Sequence, residues 1–460
     1  MTQRTTTPLT FSTVGHRDLV AEFSAAHITD AAGLLLLREA DRQLGLLDAL
    51  NDAITDPRAP ERIIHPQRTL LAQRLFGLAA GYEDLNDHRL LRCDPLWQAA
   101  TDHPNTTQAH DADTPTELGS APTLCRLENR ITRQEIFKIS CILVEQFIAS
   151  YDSPPTELIL DIDATDDPIH GNQECRFFHG YYDKYCFLPL YITCGSRLLT
   201  AYLRPSNTGA EHQAAPIIKL LVRQLREVWP DVKILLRGDG GFCRWRLMRW
   251  CDSNNIRYIL GLARNPVLQR ASAELLEQVA QDFRLDGRSH REFDTLSYSA
   301  ATWDRSRRVI VKAEHIPGGI HDEGKSNPRY VVTNLAGDAR KLYEDVYCAR
   351  GDSENRIKEQ QLDLFADRTS CHAFGANMFR VLMAALAYVL MEHIRRTALV
   401  GTELATATVG TIRLRLIRVA GLVTKSVRRL LVRMSSSYVS QELFTLVAQR
   451  LQTRPTLNGT

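Results

Sequence analysis

Two short apolar runs that end in aspartate constrain this chain more than any other feature. Residues 157–163 read ELILDID, and residues 231–241 read DVKILLRGDGG. Aliphatic runs of this length are strands rather than helices, which need ten or more residues. A carboxylate inside such a strand would lose its hydration, so acids are placed where a run ends and water or a hard cation can reach them. Strand side chains alternate, so Asp161 and Asp163 share one face. Asp166 and Asp167 follow in the same stretch, LILDIDATDDP, and Asp239 is followed by Gly240 and Gly241, which let backbone approach a ligand closely. Either segment by itself is also an ordinary junction between a strand and a turn.

The surroundings supply context for these runs. Residues 185–194 and 197–203 are β-rich, 211–229 and 242–251 have helical spacing, and 257–262 is a further apolar strand. Several strands are thus laid down before the first long helix, which marks a mixed α/β unit. Residues 289–335 return to β character, and helix resumes over 339–362 and 374–396. Earlier, Leu34, Leu37, Leu44, Leu47 and Leu50 recur every three or four residues, and 69–78 and 132–149 repeat the pattern. The first 150 residues therefore read as all-helical, with a polar loop over 98–120 and a Pro-Pro linker at 154–155. Near the end, residues 412–416 (IRLRL) alternate and could pair with 427–432 as a basic hairpin, with a helix as the close competitor.

A third acidic position lies at 347–361, YCARGDSENRIKEQQ. Helical steps of three and four place Tyr347, Arg350, Glu354 and Gln361 on one face, where Arg350 and Glu354 could also be a plain surface ion pair. The order matters: two strand-end aspartates, a β-rich stretch, then a helix glutamate. That order resembles the DDE transposases of bacterial insertion sequences, whose catalytic domain is RNase H-like. The helix segment is similar to the Y-x2-R-x3-E-x6-K signature of one large branch, except that Gln361 stands where the signature has lysine; Lys358 lies one turn beyond Glu354. The stretches GYEDLNDHRLLRCDP (81–95), DIDATDDPIHGNQE (161–174) and LRPSNTGAEH (203–212) resemble insertion-sequence family 1380 in particular. The likeness runs from about residue 30 to about residue 450.

The resemblance implies an α/β fold with an RNase H-like catalytic domain over 156–288 and 336–400. A β insertion at 289–335 would separate the second aspartate from the glutamate. A helical N-terminal domain (1–150) would bind DNA ends, and a basic C-terminal region (401–460) would follow. It further implies a catalytic, metal-holding triad of Asp163, Asp239 and Glu354. Asp163 is preferred to Asp161 because Asp163-Ala164-Thr165 supplies the D-x-T form. Two Mg2+ ions, or Mn2+, would serve cleavage of double-stranded DNA at the element's ends and transfer of the freed 3′ hydroxyl to target DNA. Both steps are displacements at phosphorus, so positioning and charge neutralisation dominate and no covalent nucleophile is needed. Tyr347, Arg350 and Lys358 would contact terminal phosphates, and a homo-oligomer would assemble on DNA. Two other classes remain: a metal-dependent nuclease that does not join ends, and an inactive DNA-binding relic.

Charge is uneven. Lys plus Arg number 56 against 54 Asp plus Glu, but residues 1–150 carry 14 basic and 20 acidic side chains, whereas 391–460 carry 11 and 3. The basic end suits a polyanion, with Arg413, Arg415, Arg428 and Arg429 as DNA contacts. In the acidic first part only a local face of Arg62, Arg68 and Arg74 could serve. Of ten cysteines none form C-x-x-C, and the spacing of Cys175, His179, Cys186 and Cys194 does not suit zinc. Gly238-Asp-Gly-Gly241 lacks the ending of a P-loop, so ATP use is not expected. The longest apolar run, 381–391, is shorter than the roughly 18 residues a bilayer requires, and the first residues lack an apolar leader. A cytoplasmic protein without a membrane span is the expectation.

Overall fold

A computed structural model describes residues 8–24, 27–104, 117–317, 324–426 and 428–453. It divides into two compact units, residues 128–392 and residues 1–127 with 393–460.

The unit formed by 128–392 is built on one sheet. Its main strands are β1 (Glu157–Ala164), β2 (Leu190–Cys194), β3 (Arg197–Tyr202), β4 (Lys233–Gly238), β5 (Arg257–Leu262), β6 (His290–Tyr298), β7 (Arg307–Ile316) and β8 (Arg329–Thr333), in the spatial order β6-β7-β8-β5-β4-β1-β2-β3, with the short strand Lys325–Ser326 paired to the end of β7. Strands β1, β4 and β5 run parallel; the other neighbours are antiparallel. The β-rich stretch expected as an insertion thus continues the same sheet, because β8 pairs with β5 from Ile259 to Leu262. That pairing covers an edge whose backbone groups would otherwise lack partners.

Alternation along the strands decides what faces what. Leu158, Leu160, Ile162, Ile234 and Leu236 point to one side, into a core shared with α1 (Arg133–Ala149), α2 (Ala214–Val228) and α3 (Trp245–Ser253). Leu235, Ile259, Ile310 and Val331 point to the other side and pack against Leu342 and Tyr343. Asp161 and Asp163 share that second side, beneath the helical run that continues from Ala339 to Asp363 and contains α4 (Gly351–Lys358). Helix α1 starts at a capping box, in which Thr132 and Glu135 satisfy each other's backbone N–H groups, worth about 1 kcal/mol. The sequence reading groups α1 with the N-terminal helices, yet Val144 and Phe147 belong to the sheet's core; apolar periodicity marks a buried face without saying against what.

The other unit is not all-helical. Leu9–Val14 and Arg17–Ala21 form an antiparallel hairpin. Ile28–Thr29 pairs with Gly421–Ser426, which pairs in turn with Arg429–Met434, so segments far apart in the sequence share a sheet. Gly33 is required there: a Cβ would lie 2.0 Å from the Leu416 carbonyl oxygen, and Ala32 N donates to Val419 O at 2.7 Å. Residues 412–416 are helical, a correction to the strand expected there. Ile412 and Leu416 are buried whereas Leu414 between them is 71% exposed, a spacing of four and not of two. The basic hairpin exists, shifted to the two strands after Gly421.

The helix Phe374–Ala398 is long and apolar enough to cross a membrane, which a count of uninterrupted apolar residues does not reveal. It is 78% buried over its most apolar window, as a core helix is.

Candidate active site

Asp163 stands near the end of β1 and Asp239 directly after β4. The parallel register pairs Gly238 with Ile162, so the next residue on each strand brings Asp239 level with Asp163. Each aspartate is oriented by its own backbone: Asp163 Oδ1 accepts from Ala164 N at 2.9 Å, and Asp239 Oδ1 from Gly241 N at 2.9 Å. The turn carrying Asp239 lies so near β5 that a Cβ on Gly261 would sit 2.8 Å from Gly240 N and 2.8 Å from the Tyr347 hydroxyl. Only glycine fits between them.

Glu354 comes from α4. Arg350 Nη2 donates to Asp163 Oδ2 at 3.1 Å and lies 3.3 Å from Glu354 Oε1, so one guanidinium ties the two carboxylates together. The Asp163 side chain is 16% exposed and that of Glu354 48%. Burial pushes Asp163 up to about 6; Arg350 opposes the rise, while the negative charges of Asp239 and Glu354 add to it. Asp163 therefore feels the other two carboxylates.

Asp161 has a different role. It is buried and receives both arms of Arg237, at 2.5 and 2.6 Å, and Arg237 also donates to the Val346 carbonyl at 2.7 Å. The pair fastens β1 and β4 to the helical run above them. A second fastening joins Ser353 Oγ to Thr193 Oγ1 at 2.8 Å. Wide π turns at Leu342–Tyr347 and Glu359–Asp363 flank α4; such turns are uncommon and recur at functional sites. Gln361 donates to the Asp166 carbonyl at 2.9 Å, and Asp166 also meets Lys184 at 2.8 Å. Lys358 is exposed, with no ion pair or hydrogen bond among the described residues.

The remaining candidates divide. Tyr347 packs on Gly261 beside the aspartates; burial raises its pKa, Arg350 opposes and Asp239 adds. Arg413 is occupied internally, donating to the Ala79 and Leu78 carbonyls at a helix end. Arg415 bonds Ser440 and Glu403. Arg428 and Arg429 are exposed at the hairpin turn. Arg62 is exposed, but Arg68 is spent on Asp48 and Asp102 and Arg74 on the Glu83 carbonyl, so the three form no common face. Two features escape the sequence reading. Arg237 has one signal, a cation set directly after a buried apolar run of a strand. The run FFHGYYDKY at 177–185 has another, its density of aromatics.

Among the described residues no three His, Cys, Asp or Glu side chains gather closely enough to hold a metal as they stand. The donor chemistry of Asp163, Asp239 and Glu354 nevertheless fits a hard divalent ion, since all three offer carboxylate oxygens. The Arg350 guanidinium already stands between two of them as a positive charge.

Comparison with known proteins gives three results. The family model described as transposase DDE domain, group 1, matches residues 11–456. No curated protein matches. Among solved structures, one similar chain is the piggyBac transposase in a synaptic complex with hairpin DNA, 10% identical, with 92% of this chain and 82% of that chain covered at a TM-score of 0.42.

Proposed function

This chain belongs to the DDE transposases of group 1, and from that premise we propose that it cuts DNA at the ends of an insertion sequence of family 1380 and joins the freed ends to target DNA. The catalytic triad in this reading is Asp163, Asp239 and Glu354. The observation that carries it is the bridging of Asp163 and Glu354 by Arg350 where Asp239 stands level with Asp163. Ligands of α/β sheets gather at the carboxyl ends of parallel strands, and this is such an end. The strand order β3-β2-β1-β4-β5 supports an RNase H-like catalytic core with β6, β7 and β8 added at its edge.

Asp163, Asp239 and Glu354 would hold Mg2+ or Mn2+. Such ions supply a water of lowered pKa and polarise phosphoryl oxygens. The protein's own residues do the rest. Asp239 and Asp163 are held rigid by backbone hydrogen bonds, so little ordering is left for the moment of reaction. Arg350 keeps the carboxylates from repelling one another until DNA and cation arrive, and its fork then suits a phosphate. Lys358, exposed and with no ion pair among the described residues, offers a second cation to the strand end. Arg428 and Arg429 offer phosphate contacts to double-stranded DNA, with a homo-oligomer on the DNA as the working form.

The test uses a duplex carrying the element's terminal repeat, with cleavage and strand transfer measured in Mg2+. Asp163→Asn, Asp239→Asn and Glu354→Gln should each lose both activities while retaining DNA binding. Cleavage by the wild type without joining of a pre-cleaved end would make the protein a nuclease; binding without either would make it a relic. Near-normal cleavage by one variant would remove that residue from the triad.

A further inference from the structure

Beyond Asp163 the chain does not pass straight to β2. Asp167–Pro168 pairs with Cys186 and Phe187, and Phe177–His179 pairs with Lys184–Phe187, so a hairpin interrupts the path between the two strands. Since β1 and β2 pair Asp163 with Tyr191 and Ala164 with Leu190, this hairpin rises from the carboxylate end of the sheet. Its base is tied to the catalytic helix through Asp166, which Lys184 and Gln361 both contact.

Five of residues 177–185 are Phe or Tyr, in a chain that is 7% aromatic, and four are left open to solvent: Phe177 is 39% exposed, Phe178 52%, Tyr181 86% and Tyr185 44%. Exposed apolar area of this kind is costly and marks a contact surface. The rings are also arranged: Phe178 meets Tyr185 edge to face at 5.6 Å, and the Arg176 guanidinium lies 4.0 Å over the Tyr185 ring. Burial above all, and then the negative charges of Asp166, Asp163 and Asp239, push the fifth ring, Tyr182, up to about 12.

We propose that this hairpin receives unpaired bases of the DNA strand next to the scissile phosphate, stacking them on Phe178 and Tyr181 while Arg176 meets the backbone. The inference rests on the DNA-cleaving reading of the carboxylates. A phosphodiester at Asp163 has its neighbouring nucleotides within reach of the hairpin, and flat rings interleaved with cations suit bases of any sequence. A membrane is a poor occupant, because Glu174, Asp183 and the hairpin's cations leave the surface mixed in charge. A base can stack only once it is out of the duplex, so the substrate is DNA opened at its end.

The experiment compares two terminal-repeat duplexes, one fully paired and one with two flanking nucleotides mismatched, cut by full-length protein in Mg2+. The Phe178→Ala, Tyr181→Ala double variant should lose at least tenfold in cleavage of the paired duplex and recover to within about threefold of wild type on the mismatched one. Phe178→Trp with Tyr181→Trp should keep activity; the double leucine variant, similar in apolar area but without stacking faces, should not. Equal losses on both duplexes, no loss on either, or rescue by leucine would overturn the proposal. Thermal melts on the same preparations identify any unfolded variant, and the tryptophan and leucine pair then decides. Should the wild type cut neither duplex, the transposase reading itself fails; should the wild type cut both and the alanine variant match it, only the hairpin's role fails.

Discussion

Arg350 sets a single positive charge against two carboxylates, and burial still pushes Asp163 up to about 6. Removing the guanidinium leaves a largely buried acid facing Asp239 and Glu354, a loss of about 1–3 kcal/mol. Arg350→Ala should therefore melt at lower temperature than wild type in EDTA, and excess Mg2+ should raise its melting temperature more than that of wild type. Equal responses to Mg2+ in the two proteins would show that the carboxylates do not share a cation. Lys358 gives the opposite expectation. With no ion pair to lose among the described residues, Lys358→Ala should change stability by less than about 0.5 kcal/mol yet weaken joining of a pre-cleaved end. Unaltered joining in that assay would return Lys358 to ordinary surface.

Between elements, the Asp161–Arg237 pair binds β1, β4 and the helical run into one block. Cutting one side of a buried ion pair strands the other charge and costs about 3–5 kcal/mol. Asp161→Ala should show this loss in urea titration, whereas Asp163→Asn should fold normally and be inactive; a stable Asp161→Ala protein would refute the anchoring role. On β7, burial would raise the Glu314 pKa, but donation from Lys312 at 2.6 Å, Arg291 at 2.7 Å and Asn327 at 2.8 Å wins and holds it at about 2. The native state thus favours the ionised form relative to the unfolded chain. Its stabilisation, about 3 kcal/mol at most, is complete above the ordinary glutamate range and is lost as pH falls from about 4.5 toward 2. The stability gap between wild type and Glu314→Gln should close over that interval, and a gap constant with pH would disprove the assignment.

At the scale of the whole molecule, the basic end of the chain separates into cations that hold the fold and cations that face solvent. Arg413 caps a helix with its guanidinium and Arg415 joins Ser440 to Glu403, so Arg413→Ala should lower the melting temperature and leave the salt dependence of DNA binding unchanged. Reversing Arg428 and Arg429 should do the opposite, reducing the log–log salt slope by roughly 0.9 for each phosphate the protein no longer neutralises. An unchanged slope in that double variant would mean that the hairpin does not touch DNA.

The sequence by itself determined what depends on near neighbours. Run length and alternation placed the strands and set acids at their ends, steps of three and four put Arg350 and Glu354 on one helical face, and the Ile412–Leu416 alternation offered strand and helix with no local means to choose. Asp161 and Asp163 show where such reasoning stops. They occupy the same face of the same strand, and it is Arg237, 76 residues further along, that pairs with Asp161 and not with Asp163. Tertiary structure alone likewise joined β6, β7 and β8 to the main sheet, paired Ile28–Thr29 with a strand near the chain's end, and turned Arg413 inward. The physical reason is that periodicity reports which side chains are buried together within one element, whereas the partner that satisfies a charge or a strand edge comes from whatever distant segment the packed chain brings alongside.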